Sequence, residues 1–152
     1  MSVTSTYQIE LVWTGNTGEG TKDTKSFERT HLIRSGDKPE IHGTSAVDKS
    51  GWNPEECMIA SISSCHMLWY LHLCARNDII AIDYLDHPIG KLEFEGSSGR
   101  FVHIELRPKV KILGPDKIEL ARQLHEIAHK YCYTANSVNF PVEVNPVIEE
   151  MK

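Results

Sequence analysis

The residues of this 152-residue chain best suited to chemistry are four cysteines, at positions 57, 65, 74 and 132, and the pentapeptide His125-Glu126-Ile127-Ala128-His129. Cys65 stands out among the thiols. It sits in Ser63-Ser64-Cys65-His66, where small polar neighbours leave room beside the sulfur for a substrate within an otherwise apolar run. The thiolate is the reactive form, and burial raises a thiol's pKa, so a reactive Cys65 needs a cation close by. Arg29 is the cation that the sequence leaves unexplained, since strand periodicity puts it on one face with Phe27 and His31. Both residues also have a plain reading. Free cysteine is among the most buried residue types, and an edge-strand arginine can reach solvent along its stem.

Spacing limits which thiol can meet which. Positions 57, 65 and 74 fall on one predicted helix, eight and nine residues apart, or about 12 Å and 13–14 Å along its axis. A disulfide needs Cα atoms within ~7 Å, so none of these three can bond another in the same helix. Cys132, near the end of a second predicted helix, is the free candidate partner for Cys65. Two such thiols make a redox pair: one is oxidised to a sulfenic acid and the other condenses with it. Cys57 and Cys74 read as buried packing residues.

The histidine pair matches HExxH, and Glu149 lies twenty residues beyond His129, where one class of zinc peptidase keeps a third ligand. A zinc hydrolase is therefore a third, distant reading. Phe140-Pro141 and Asn145-Pro146 oppose it, because they break any long helix that would return Glu149 to the pair. On a helical wheel both histidines fall at the border of the apolar arc, while Glu126 points to solvent.

These residues must be held by elements whose signals are legible. Asn53 is a helix cap, Pro54 suits the first helical position, and Glu55 and Glu56 favour the positive end of the dipole. From Cys57 to Ala75 there is no polar face, which predicts a central helix buried on most sides, partly by a second subunit. Before it, Tyr7, Ile9, Leu11 and Trp13 alternate as one buried face of a strand. Residues 27–33 predict a second strand and 40–42 a short third, separated by polar, Gly-rich connections. After it come a strand over 79–85, a hairpin of 91–95 with 101–106, and an edge extension at 110–113 beyond Pro108. A helix follows from Asp116 to about Tyr133, with Leu120, Leu124, Ile127, Ala128, Tyr131 and Cys132 on one arc. A last short strand lies within 136–144, ahead of an acidic, frayed tail. The fold class expected is α+β, as a single domain over residues 1–152.

Composition narrows the function. The chain is 40% hydrophobic and 24% charged with a net charge of -5, which argues against nucleic acid or an anionic membrane as the main partner. The first ten residues carry neither a basic nor an apolar segment, so a cytoplasmic protein is expected. A reducing compartment favours reactive, metal-bound or free cysteines over structural disulfides.

The stretch NPEEC…SSCHMLWYL, with the late HKYCYTANSVNFPVEV, resembles the family of osmotically inducible protein C (OsmC) and the organic hydroperoxide resistance proteins. The order of strands, central helix, hairpin, second helix and last strand is similar along the whole chain. The resemblance implies an intertwined α+β homodimer that reduces organic hydroperoxides without metal or bound cofactor and is recycled by an external dithiol. It also implies that Cys65 is the peroxidatic and Cys132 the resolving cysteine, and that Glu55 holds the family's arginine. The chain departs from the family pattern in having no arginine in the turn between its first two strands. Arg29, which fits an Arg-x-His pattern, takes that role, with Arg34 the alternative. Met67, Leu68, Trp69 and Phe140 are apolar side chains that would favour alkyl hydroperoxides, or are simply core. The competing function is a redox sensor or binding protein of the same fold that does not turn over.

Overall fold

Asn53 opens the long helix as its sequence requires. Its Oδ1 accepts the Glu56 N–H at 2.8 Å while Glu56 Oε2 accepts the Asn53 N–H at 3.3 Å, a reciprocal capping box. From this cap helix α1 runs unbroken over Pro54–Arg76. Asp78, at φ 54°, ends it in the left-handed conformation that short polar side chains tolerate, and the Ile79 N–H closes on the Cys74 carbonyl at 2.9 Å.

The computed structural model describes residues 1–152, which fall into two units, Met1–Cys57 and Met58–Lys152. In the first, strands β1 (Glu10–Trp13), β2 (His31–Arg34) and β3 (Ile41–Gly43) form an antiparallel sheet in that order. The expected first strand is shorter than its alternation, and its apolar face is not buried. Tyr7, Ile9, Leu11 and Trp13 are all exposed, Leu11 at 65%, because three short strands have no layer of their own to pack that face against. β2 begins at His31, so Arg29 lies outside the strand rather than on a face with Phe27.

The second unit holds the core. Strands β4 (Ile80–Leu85), β7 (Lys109–Leu113) and β9 (Val147–Glu150) form one sheet with β7 in the middle. Strands β5 (Ile89–Glu95), β6 (Ser98–Leu106) and β8 (Val142–Val144) form the other, with β6 in the middle. The hairpin β5–β6 is as expected. The extension at 110–113 is not an edge: Pro108 interrupts the ladder and β7 enters a different sheet, between antiparallel β4 and parallel β9. Nor is the tail frayed, since Val147–Glu150 pairs with β7 and the Lys109 ammonium lies 2.9 Å from Glu149.

Helix α2 (Ile118–Tyr131), entered through a 3-10 turn at Pro115–Lys117, packs on the β4–β7–β9 sheet, and its buried residues are Ala121, Leu124, His125 and Ala128. Its inward face is rotated from the expected arc. Ile127 and Tyr131 are exposed, whereas His125, expected at the border, is only 2% exposed. The reason lies on α1, whose buried residues Ile62, His66, Tyr70 and Cys74 recur every four positions along one stripe. His66 Nε2 and His125 Nδ1 are 2.9 Å apart, and the His125 ring stacks on Tyr70 with centroids 3.7 Å apart. A polar side chain with a partner of its own takes the core position. α1 is long and apolar enough, by length and composition alone, to cross a membrane; here its stripe is core of the second unit.

Two predictions follow from this packing. Ile112 of β7 is fully buried and its neighbour Leu113 is 44% exposed. Ile112→Ala should lower unfolding free energy by about 2–5 kcal/mol and Leu113→Ala by less than ~1 kcal/mol, measured by urea denaturation at pH 7. Equal losses would contradict the inward and outward assignment. The second concerns the imidazole pair. Burial, reinforced by a neighbouring imidazole (His129 for His66, His66 for His125), lowers His66 to about 4 and His125 to about 3, so both are neutral when folded. Unfolding frees them to bind protons near the ordinary 6.5. Their contribution is therefore complete above pH 6.5 and is lost as pH falls towards the folded values. Between pH 6 and 4 two protons would be taken up on unfolding, a slope of up to about 2.7 kcal/mol per pH unit. The double replacement His66→Phe with His125→Leu should remove that slope, and a wild-type stability that is flat from pH 7 to 5 would refute the assignment.

Candidate functional site

Helix α2 delivers Cys132 to α1. The helix ends at Tyr131, Cys132 is its extended C-cap residue, and the chain turns back through a 3-10 turn at Ala135–Ser137. Four bonds tie this corner: Asn136 N–H to the Cys132 carbonyl at 3.0 Å, Ser137 N–H to Thr134 at 3.2 Å, the Ser137 hydroxyl to Tyr133 at 2.7 Å, and the Asn136 amide to Lys130 at 3.0 Å. Cys132 is fully buried, and its Sγ lies 3.8 Å from the Ile62 carbonyl and 3.5 Å from Thr134 Oγ1. Thr134 Oγ1 in turn donates to the Ser61 carbonyl at 3.3 Å. Ser61 and Ile62 form the turn of α1 just before Cys65.

The structure thus brings Cys65 and Cys132 together, both as free thiols. Their environments differ in sign. For Cys65, desolvation pushes the pKa up, but the Thr134 N–H, the Cys132 thiol, the Thr134 hydroxyl and the Tyr133 N–H outweigh it, and the net shift is down. For Cys132, burial pushes the pKa up and the adjacent Cys65 adds to it, against the Thr134 hydroxyl and the Ala135 N–H. Cys65 is the better acid of the pair and Cys132 stays protonated.

Cys65 opens on a cavity of about 460 Å³ whose apolar walls are Leu68, Trp69 and Tyr133, with Ser61, Ser64 and His72 at its margin. Trp69 is held edge-on by His72 and Tyr133, with centroids 5.8 and 5.7 Å away. Of the apolar side chains considered from the sequence, Leu68 and Trp69 line the cavity, whereas Phe140 packs with Phe101 in the core. Met67 is half-buried and not part of the lining.

The candidate arginines and Glu55 lie in the first unit. The Arg29 guanidinium donates to the carbonyls of Thr24 at 2.9 Å and Phe27 at 3.2 Å and covers the Phe27 ring at 4.5 Å. The alternative, Arg34, is bound by Glu40 at 2.7 Å and Glu10 at 3.4 Å, and Glu40 raises its pKa. Glu55 Oε2 is buried without a hydrogen-bond partner. Neither arginine is paired with Glu55. Cys74 is buried, and burial raises its pKa, as befits a packing thiol; Cys57 is only half-covered. In the HExxH segment His125 is committed to His66 and Glu149 to Lys109, and no three His, Cys, Asp or Glu side chains converge as a metal site.

What the sequence did not yield is the Tyr133–Thr134 corner. Backbone N–H donors carry no residue signature, and the only hint was a threonine two positions after a cysteine at a helix end.

Comparison with known proteins bears on the fold that carries this site. A family model described as OsmC-like protein matches residues 47–147. Among solved structures the chain is similar to an OsmC-like protein of unknown function from Vibrio cholerae, with a TM-score of 0.86 at 24% identity over 95% of this chain and 100% of that one. It is also similar to organic hydroperoxide resistance proteins from Elizabethkingia anophelis (TM-score 0.61, 19% identity, 98% and 100% covered) and Bacillus subtilis (0.59, 20%, 94% and 98%). At such identities the likeness is one of fold. A search of curated proteins finds no match. With the family model spanning positions 47 to 147 of 152, the chain belongs to the family of OsmC-like proteins.

Proposed function

We propose that this protein is a thiol peroxidase that reduces organic hydroperoxides. The observation that carries the reading is the opposed pair of thiols beside an apolar cavity: Cys65 shifted down and half-exposed, Cys132 shifted up and buried. The Cys65 thiolate attacks the distal peroxide oxygen, the O–O bond breaks, and the alkoxide leaves and takes a proton as the alcohol. The sulfenic acid on Cys65 then condenses with the Cys132 thiol, releasing water and forming a disulfide, and an external dithiol restores both thiols.

Glu55 and Arg29 have the roles that the resemblance implies. The unpartnered Oε2 of Glu55 is an acceptor suited to a guanidinium, and Arg29 is the cation it would hold. A homodimer and a cytoplasmic location belong to the same proposal. Exposed apolar side chains at Ile9, Leu11 and Leu68, each above 60% exposed, give a second copy something to cover. The competing reading, a sensor oxidised once, is favoured by the arginine itself, whose donors are engaged by backbone carbonyls.

Stopped-flow consumption of cumene hydroperoxide with excess dithiothreitol separates the two. The wild type should complete many turnovers per subunit and Cys65→Ser none. Cys132→Ser should accumulate a dimedone-reactive sulfenic acid when the dithiol is withheld. A wild type that consumes one equivalent and stops would establish the sensor instead.

A further inference from the structure

The step that closes the disulfide has a proton problem. Cys132 is a thiol, because its buried site raises its pKa, and a thiol is a poor nucleophile until its proton leaves. The oxygen of a sulfenic acid is a poor leaving group until it gains one. One group must therefore lie beside Cys132 that can accept a proton and give one away.

We propose that the Thr134 hydroxyl is a catalytic group of this second step, relaying the Cys132 proton to the departing oxygen of the Cys65 sulfenic acid. The inference rests on the peroxidase reading. A hydroxyl is both donor and acceptor, and Thr134 Oγ1 lies 3.5 Å from Cys132 Sγ. The other groups near that sulfur act one way only: the Ile62 carbonyl at 3.8 Å can only accept and the Ala135 N–H can only donate. In the resting thiol form the Thr134 proton is directed to the Ser61 carbonyl at 3.3 Å. That bond is long for O–H···O, and this carbonyl already receives the Cys65 N–H in the helix ladder. The Thr134 proton is therefore readily withdrawn, and the same hydroxyl is among the groups that act on Cys65. The corner is pinned by its four hydrogen bonds, so the hydroxyl is in place before reaction begins.

The balance is complete. As Cys132 sulfur bonds to Cys65 sulfur, its proton passes to Thr134 Oγ1, and the Thr134 proton passes to the sulfenic oxygen. The S–O bond breaks and water leaves. Cys132 sulfur is oxidised by one unit, Cys65 sulfur is reduced by one, and Thr134 ends as it began.

The test is a single turnover with one equivalent of cumene hydroperoxide and no dithiol. Sulfenic acid formation and decay on Cys65 are followed by dimedone trapping and mass spectrometry from pH 5.5 to 8.5. Thr134→Val should slow disulfide closure about a hundredfold, within the usual range for a general acid–base group. It should also make closure rise about tenfold per pH unit as solvent base takes over, against a shallower wild-type profile. Thr134→Ser, which keeps the hydroxyl, should close at close to the wild-type rate. Closure in Thr134→Val at the wild-type rate and pH profile overturns the relay. So does equal slowing in the Val and Ser variants, which would mark a shape effect. If the wild type forms no sulfenic acid, the peroxidase reading and the relay fall together, whereas normal sulfenic acid with unchanged closure in Thr134→Val removes the relay alone.

Discussion

A single buried hydrogen bond, between His66 Nε2 and His125 Nδ1, fixes how the two helices meet. Two neutral imidazoles share one proton there, and a nitrogen on each ring, His66 Nδ1 and His125 Nε2, is left without a partner. The arrangement tolerates little sliding. A shift of one helical turn would separate the rings and leave both buried groups unsatisfied, at a cost of about 1–3 kcal/mol each. Ala121 and Ala128, fully buried one turn on either side of His125, share one buried cluster with Tyr70, which closes the stack from α1.

The thiol site follows from that docking. His66 is adjacent to Cys65 in sequence, and His125 is seven residues, about two helical turns, before Cys132. Once the imidazoles are paired, the end of α2 must fall beside the α1 turn that carries Cys65. Chemical asymmetry then comes from where the chain goes next. By turning sharply after Cys132 it aims N–H groups and the Thr134 hydroxyl towards Cys65, which lies on the open side of α1. Cys132 stays beneath, fully buried.

The sequence was most informative where local chemistry decides structure. The cap at Asn53–Glu56, the hairpin and the two helices lie where their signals put them, and Cys132 was the candidate neighbour for Cys65 because the spacing on α1 keeps the three thiols of that helix apart from one another. It was least informative where a distant partner decides. Nothing local tells that His125 is core, because the reason is an imidazole fifty-nine positions away. Nor can a five-residue segment such as Lys109–Leu113, with two lysines among its apolar residues, announce whether it will be edge or centre. The acidic tail read as frayed because its partner, β7, is parallel and remote, and parallel pairing has no turn to mark it. The exposed face of β1 reveals another limit: alternation says which side chains share a face, not what covers it.

In the proposed cycle, the asymmetry that would make Cys65 the attacking thiol also bears on its recovery. A disulfide is cleaved faster when the departing thiol is the better acid, and by that rule a reductant should strike Cys132 and expel Cys65. Access opposes it. Cys132 is fully buried, whereas Cys65 borders the open cavity, so the reductant meets Cys65 and must expel the poorer leaving group. Every hydrogen-bond donor at the Cys132 sulfur then matters, because it offsets the negative charge that develops there. Thr134 Oγ1 is the side-chain group at that distance. The same corner would serve both steps, as an acceptor when Cys132 attacks and as a donor when Cys132 departs, because a hydroxyl can do either.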